Sequence, residues 1–222
     1  MTDLAAVART SSKREHTAGI SSACRPCRRR GRCSVGFHGY AETAGDHLDA
    51  LADDSRQPRR GCSSSVQALH PFYTRKERVV ASWMTRDDRE LAIGDNIDYV
   101  GRVLDRVRAD HPTRPTLVFS GFSQGGAMAY RAAANYRADG LIMLAARRAA
   151  GHRRTPRRAR CRRCCSAAER RTSGIPKRRK PLTARRSRSI GARVETCVFD
   201  GGHEWTDAFR AAASAFLRRA QQ

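Results

Sequence analysis

Residues 116–128 read TLVFSGFSQGGAM, a short apolar run that passes directly into a glycine-rich turn. The run at 116–120 is rich in β-forming residues, which favours a buried strand of a parallel sheet. Apolar residues then recur at helical spacing from Ala127 to Tyr136. A G-x-S-x-G turn between a strand and a helix projects its serine hydroxyl at the edge of the sheet. The pattern therefore predicts Ser123 as a catalytic nucleophile.

The sequence on both sides of this segment alternates between helical and strand patterns. Apolar residues spaced over 93–107 predict a long amphipathic helix that ends near Pro112. Short apolar runs at 141–144 and 194–199 predict two more strands, and the stripe over 209–217 predicts a final helix with Thr206 as its N-cap. This alternation indicates a single α/β domain over residues 1–222, with a mostly parallel sheet covered by helices on both faces.

A second strand end predicts part of an oxyanion hole. The stretch VGFHGY at 35–40 runs from an apolar strand into a His-Gly turn. A loop of this kind can aim a backbone N–H at a substrate carbonyl oxygen, and we assign this donor to Tyr40. The N–H of Gln124, directly after the nucleophile, is the expected second donor. For His38 a structural role is favoured over a catalytic one.

A histidine near the end of the chain is the expected general base. In DGGHEW at 200–205, His203 follows a predicted strand and two glycines and precedes the last helix. A serine hydroxyl needs a neighbouring base to become nucleophilic, and a loop after the last strand is a usual place for it. The alternative is a surface histidine without a catalytic role.

Three motifs together resemble those of the phospholipase/carboxylesterase family of α/β hydrolases, the predicted-esterase group. They are FHGY at 37–40, GFSQGGAM at 121–128 and GHE at 202–204, and the resemblance extends over about three quarters of the chain. It implies an α/β-hydrolase fold and hydrolysis of small carboxylic esters or thioesters through an acyl-enzyme on Ser123. It implies no metal ion and no organic cofactor. Trp83 and Tyr73 are expected either in a substrate pocket or in the core.

The resemblance also implies a triad aspartate after the strand that follows 141–144, but the sequence offers no obvious candidate. Between positions 145 and 202 the acidic residues are Glu169, Glu195 and Asp200. Glu195 falls inside a predicted strand, and Asp200 is only three residues from His203. Glu169 lies in a strongly basic segment. The triad acid is therefore expected to be missing, and weak or no esterase activity follows from that expectation.

The net charge of +23 is confined to three basic segments, 21–34, 52–65 and 147–192. Residues 147–192 alone hold 18 basic residues and one acidic residue, and the rest of the chain is neutral. Such segments are expected to be irregular or disordered, because unpaired arginines are costly to bury. Our hypothesis is that they are read in a shifted frame, since GC-rich DNA read out of frame yields Arg, Cys, Ser and Pro. Sequencing the gene against intact relatives tests it.

The basic segments raise two alternative functions. A basic arm at 147–192 predicts salt-sensitive, non-specific nucleic-acid binding, although it contains no aromatic residue for base stacking. The Cys-x-x-Cys pairs at 24–27 and 161–164 have zinc-ligand spacing, but neither has a second pair at the usual distance. The sequence contains no run of about 20 apolar residues and no apolar leader near Met1. We therefore expect a cytoplasmic location, without a membrane span or a specific nucleic-acid partner.

Overall fold

The computed structural model describes residues 22–25, 32–52, 61–85, 87–110, 116–144, 161–170, 193–200 and 203–219. These residues form nine strands and four helices. In chain order they are β1 (Ser22–Arg25), β2 (Arg32–Phe37), α1 (Ala44–Ala52), β3 (Gly61–Val66), β4 (His70–Tyr73), β5 (Val79–Ser82), α2 (Arg89–Asp110), β6 (Leu117–Phe122), α3 (Gln124–Asn135), β7 (Ala138–Leu144), β8 (Cys161–Arg170), β9 (Arg193–Asp200) and α4 (Asp207–Arg219).

Seven of these strands form one sheet in the order β1-β3-β2-β6-β7-β8-β9. Only the β1–β3 pair at one edge is antiparallel, and the other five pairs are parallel. The strands β4 and β5 form a separate antiparallel pair. This arrangement confirms the predicted α/β fold with a mostly parallel sheet.

The sheet buries apolar side chains on both faces. Along β7, Leu141 and Met143 join the larger core cluster, whereas Ile142 and Leu144 join the smaller one. This alternation is the two-residue period of a strand, and continuous apolar runs are typical of parallel strands covered on both sides. Helices α2 and α3 pack in the larger cluster, and α4 packs in the smaller one through Phe209 and Phe216.

The helices begin and end close to the predicted positions. The amphipathic stripe over 93–107 lies in α2, which ends at Asp110, just before the expected Pro112 boundary. The last helix is α4, and the N–H of Phe209 donates to the hydroxyl of Thr206 at 3.3 Å, as expected of an N-cap.

Helix α1 begins with a capping box formed by Thr43 and Asp46. The N–H of Thr43 donates to Asp46 at 2.7 Å, and the N–H of Asp46 donates to the Thr43 hydroxyl at 3.2 Å.

Parts of the basic segments belong to the sheet, where irregular chain was expected. Strands β1, β3 and β8 lie wholly or largely inside these segments, and β2 begins in one of them. In β8, Cys164 and Cys165 are buried on opposite faces of the sheet, because cysteine packs as a small apolar side chain. The remainder of the three segments lies outside the described residues. For that remainder, both the irregular structure and the nucleic-acid arm at 147–192 stay predictions.

Candidate active site

The turn after β6 holds Ser123 in a strained conformation. Ser123 has φ 52° and ψ −115°, a region that residues other than glycine rarely adopt. Its N–H donates to the carbonyl oxygen of Leu144 at 2.9 Å, which ties the turn to the end of β7. Strain of this kind persists only where the surroundings impose it, and it often marks functional sites.

The two glycines of the turn explain how the strain is accommodated. A Cβ atom on Gly121 would lie 2.3 Å from the carbonyl oxygen of Gly125. A Cβ atom on Gly125 would lie 2.0 Å from the carbonyl oxygen of Phe37, at the end of β2. Both obstructions are backbone atoms, so a side chain cannot be fitted by a rotamer change. The absence of Cβ therefore lets α3 start directly against the ends of β2 and β6.

The structure brings His203 to Ser123 across 80 positions of sequence. Nε2 of His203 lies 2.7 Å from Oγ of Ser123, which is hydrogen-bond distance. The imidazole packs against the ring of Phe122, with ring centroids 5.0 Å apart, and Phe122 also packs against Trp205 at 5.7 Å. These aromatic contacts hold the His203 ring next to Ser123. They involve Phe122 and Trp205, to which the sequence patterns assign no role.

His38 is buried and holds the loop that follows β2. Its Nε2 accepts a hydrogen bond from the N–H of Ala68 at 3.0 Å, so the ring proton resides on Nδ1 and is donated to the carbonyl oxygen of Gly39 at 2.7 Å. Burial lowers the pKa of His38 and favours this neutral form. The two hydrogen bonds are those of a structural histidine, which is the role favoured from the sequence.

The proposed oxyanion donors are the N–H groups of Tyr40, in the loop after β2, and of Gln124, directly after Ser123. The carbonyl group fixed by His38 belongs to the Gly39–Tyr40 peptide, so the orientation of the Tyr40 N–H is fixed with it. Within the described residues this N–H donates no hydrogen bond. Gln124 is the first residue of α3, where an N–H has no acceptor in a preceding helical turn. The assignment of Tyr40 and Gln124 as donors stays a prediction.

The side chain of Gln124 links the turn to the segment after β5. Its Oε1 accepts from the N–H of Trp83 at 2.9 Å, and its Nε2 donates to the hydroxyl of Ser82 at 3.1 Å. Trp83 is fully buried in the larger core cluster, and its indole N–H donates to the carbonyl oxygen of His38 at 2.9 Å. Of the two pocket candidates, Trp83 is thus a core residue, whereas the Tyr73 side chain is 69% exposed.

The described part of the chain does not identify an acidic residue that would be the third member of a catalytic triad. Glu195 lies in β9, and its carboxylate pairs with Arg219 of α4. Glu169 and Asp200 occupy facing strands, in register with Phe199 and Arg170 respectively. The segment after β8, where the resemblance implies an aspartate, lies outside the described residues. The expectation that the acid is missing therefore stays a prediction.

The described residues place no group of three or more His, Cys, Asp or Glu side chains where they could share a metal ion. The possible zinc ligand Cys27 lies outside the described ranges. In the same part of the chain, no helix combines the length and the apolar character needed to cross a membrane.

No known family profile matches the sequence, and no curated protein matches it significantly. Solved structures do match. The esterase PE8 superposes with a TM-score of 0.64 at 16% identity, over 90% of this chain and 99% of that one. The carboxylesterase of Bacillus cereus gives a TM-score of 0.63 at 15% identity, over 92% of this chain and 96% of that one.

A predicted CIB-like hydrolase from Thermoplasma acidophilum gives a TM-score of 0.60 at 16% identity, over 90% of this chain and 92% of that one. At these identities the likeness concerns the fold, and it agrees with the mostly parallel sheet and its covering helices described above. The chain therefore has the α/β-hydrolase fold found in these esterases and hydrolases.

Proposed function

We propose that this protein is a serine hydrolase that cleaves small carboxylic esters or thioesters through an acyl-enzyme on Ser123. The observation that carries the proposal is the 2.7 Å contact between Nε2 of His203 and Oγ of Ser123, on a strained turn between a strand and a helix. The similarity of the fold to esterases and the three sequence motifs support it. No metal ion or organic cofactor takes part in the proposed reaction.

Acylation begins when Oγ of Ser123 attacks the carbonyl carbon of the ester. As the C–O bond forms, the hydroxyl proton passes to Nε2 of His203, which requires that its Nδ1 carry the ring proton. The carbonyl oxygen becomes negatively charged and accepts hydrogen bonds from the N–H groups of Tyr40 and Gln124. The carbon then expels the alkoxide or thiolate, which takes the proton from His203 and leaves as an alcohol or a thiol.

Deacylation repeats these steps with water. His203 removes a proton from the water as its oxygen bonds to the acyl carbon, and the same two N–H groups stabilise the oxyanion. The bond to Oγ then breaks, and the proton returns from Nε2 to Ser123. The products are a carboxylic acid and the regenerated enzyme.

Hydrolysis of p-nitrophenyl acetate and p-nitrophenyl butyrate tests the proposal. The purified wild-type protein should turn both esters over slowly, because the triad acid is expected to be missing, and Ser123→Ala should abolish that turnover. His203→Gln should cause a loss of similar size, because serine and base act as one unit. Ser214→Ala, which removes a hydroxyl two turns into α4, is the matched control and should keep full activity. Turnover that survives Ser123→Ala would refute the proposal.

A further inference from the structure

Glu42 lies beside the proposed oxyanion loop, and neither the motifs nor the mechanism above assigns it a role. Its Oε2 accepts a hydrogen bond from the N–H of Gly39 at 2.6 Å. The chain turns sharply between these residues, where Ala41 has φ 61°. On the far side of the turn, the N–H of Ala81 donates to the carbonyl oxygen of Glu42 at 3.0 Å. The backbone of Glu42 is thus fixed to β5, while its carboxylate reaches back to the loop.

The hydrogen bond between Gly39 and Glu42 adds to the contacts that hold the loop after β2 in place. The carbonyl oxygen of the His38–Gly39 peptide accepts from the indole N–H of Trp83, and the N–H of the same peptide donates to Glu42. That peptide is therefore held at both ends. The next peptide, Gly39–Tyr40, is held at its carbonyl oxygen by His38. Its remaining polar group is the N–H of Tyr40, whose direction then follows from the three hydrogen bonds.

The Glu42 carboxylate also lies on the side of the turn that carries the base. A Cβ atom on Gly39 would lie 3.0 Å from both Oε2 of Glu42 and Cδ1 of Phe122. The ring of Phe122 in turn packs against the imidazole of His203. Positive charge on His203 lowers the pKa of Glu42, so the two groups attract each other.

The surroundings set the charge of Glu42. Burial raises the pKa of this carboxyl, and Asp46 raises it further, whereas the N–H of Gly39 and the charges of His203 and Arg78 lower it. The net effect is that the pKa of Glu42 is raised. The Glu42 charge is therefore lost on acidification sooner than that of an exposed glutamate.

We propose that Glu42 is a positioning residue of the hydrolytic site, which orients the Tyr40 N–H through Gly39 and supplies negative charge to the imidazolium of His203. This inference rests on the proposed function. Its two parts can be separated, because a glutamine keeps a hydrogen-bond acceptor for Gly39 but removes the charge, whereas an alanine removes both.

Steady-state kinetics with p-nitrophenyl butyrate test both parts. Glu42→Gln should lower kcat about fivefold with KM within a factor of two, because the imidazolium formed during the reaction loses a neighbouring negative charge. Glu42→Ala should lower kcat about fiftyfold, since a misdirected oxyanion donor loses part of its effect. The matched control Glu90→Gln removes an exposed carboxylate from the first turn of α2 and should leave kcat and KM unchanged.

A measurement without turnover keeps this inference distinct from the proposed function. Hydrogen exchange at the Gly39 amide should accelerate at least tenfold in Glu42→Ala and much less in Glu42→Gln. Unchanged exchange in Glu42→Ala would overturn the inference, even if Ser123-dependent turnover is found. Absence of that turnover would instead count against the proposed function.

Discussion

An alanine at position 125 would place its Cβ atom 2.0 Å from the carbonyl oxygen of Phe37 and 2.3 Å from that of His38. Cβ contacts below 3.0 Å are essentially never seen, so these backbone atoms must separate by roughly 1 Å. Because both oxygens belong to backbone at the end of a central strand, we expect a cost of about 3 kcal/mol in the free energy of unfolding, at the upper end of the range for overpacking.

Gly94 provides the matched control for this change. It lies in α2, and a Cβ atom there would have no neighbour within 4 Å. Gly94→Ala should therefore raise the free energy of unfolding by about 0.5–1 kcal/mol, because alanine loses less conformational entropy in a helix. Glycine-to-alanine substitution is thus expected to lower the free energy of unfolding at position 125 and to raise it at position 94.

Urea denaturation followed by circular dichroism measures both changes, with equal m-values as the condition for comparing them. The folded fraction of Gly125→Ala should also lose at least tenfold in kcat/KM, because Phe37 and His38 lead into the loop that carries the Tyr40 N–H. A Gly125→Ala protein within about 0.5 kcal/mol of wild type and fully active would show that α3 does not start against the end of β2.

Two further changes test other parts of the structure. His47 is fully buried against Gly36 and Trp205, its two ring nitrogens have no hydrogen-bond partner among the described residues, and burial lowers its pKa from 6.5 to about 3. The unfolded chain binds this proton below pH 6.5 and the folded chain only near pH 3, so the stability it contributes is full above pH 6.5 and lost as the pH falls towards 3. His47→Leu should therefore remove about 2 kcal/mol of the stability difference between pH 7 and pH 5 in urea titrations, and an unchanged difference would contradict its burial as a neutral group. Thr43→Ala removes the capping box of α1 and should cost about 1 kcal/mol, measured as a lower urea midpoint, whereas no loss would contradict the cap.

The elements predicted best from sequence are those whose cause is local. The order of β6, turn and α3 follows from an apolar run, two glycines and a helical apolar stripe, and the structure places them as expected. The long stripe of α2 and the Thr206 cap of α4 are equally local signals. The approach of His203 to Ser123 was predictable because the ends of parallel strands meet at one edge of the sheet.

The features that were missed depend on contacts between distant residues. The Arg-, Ser- and Cys-rich sequence of β3 and β8 lacks strand-forming patterns, and these residues are strands because their neighbours in the sheet pair with them. The fully buried position of Trp83 depends on its hydrogen bond to His38, 45 positions away. Glu42 could have been suspected as a carboxylate three residues after Gly39. The contact of Glu42 with Gly39, however, requires the positive φ of Ala41. Alanine rarely adopts this conformation, so the sequence does not predict it.

Covalent labelling of the nucleophile tests the central claim most directly. A fluorophosphonate transfers its phosphonyl group to an activated serine, with formation of an O–P bond and loss of fluoride. Intact-mass and peptide analysis should show one adduct per chain, located on Ser123, abolished in Ser123→Ala and formed much more slowly in His203→Gln. Absence of an adduct on folded wild-type protein, or an adduct at another residue that persists in Ser123→Ala, would contradict the account.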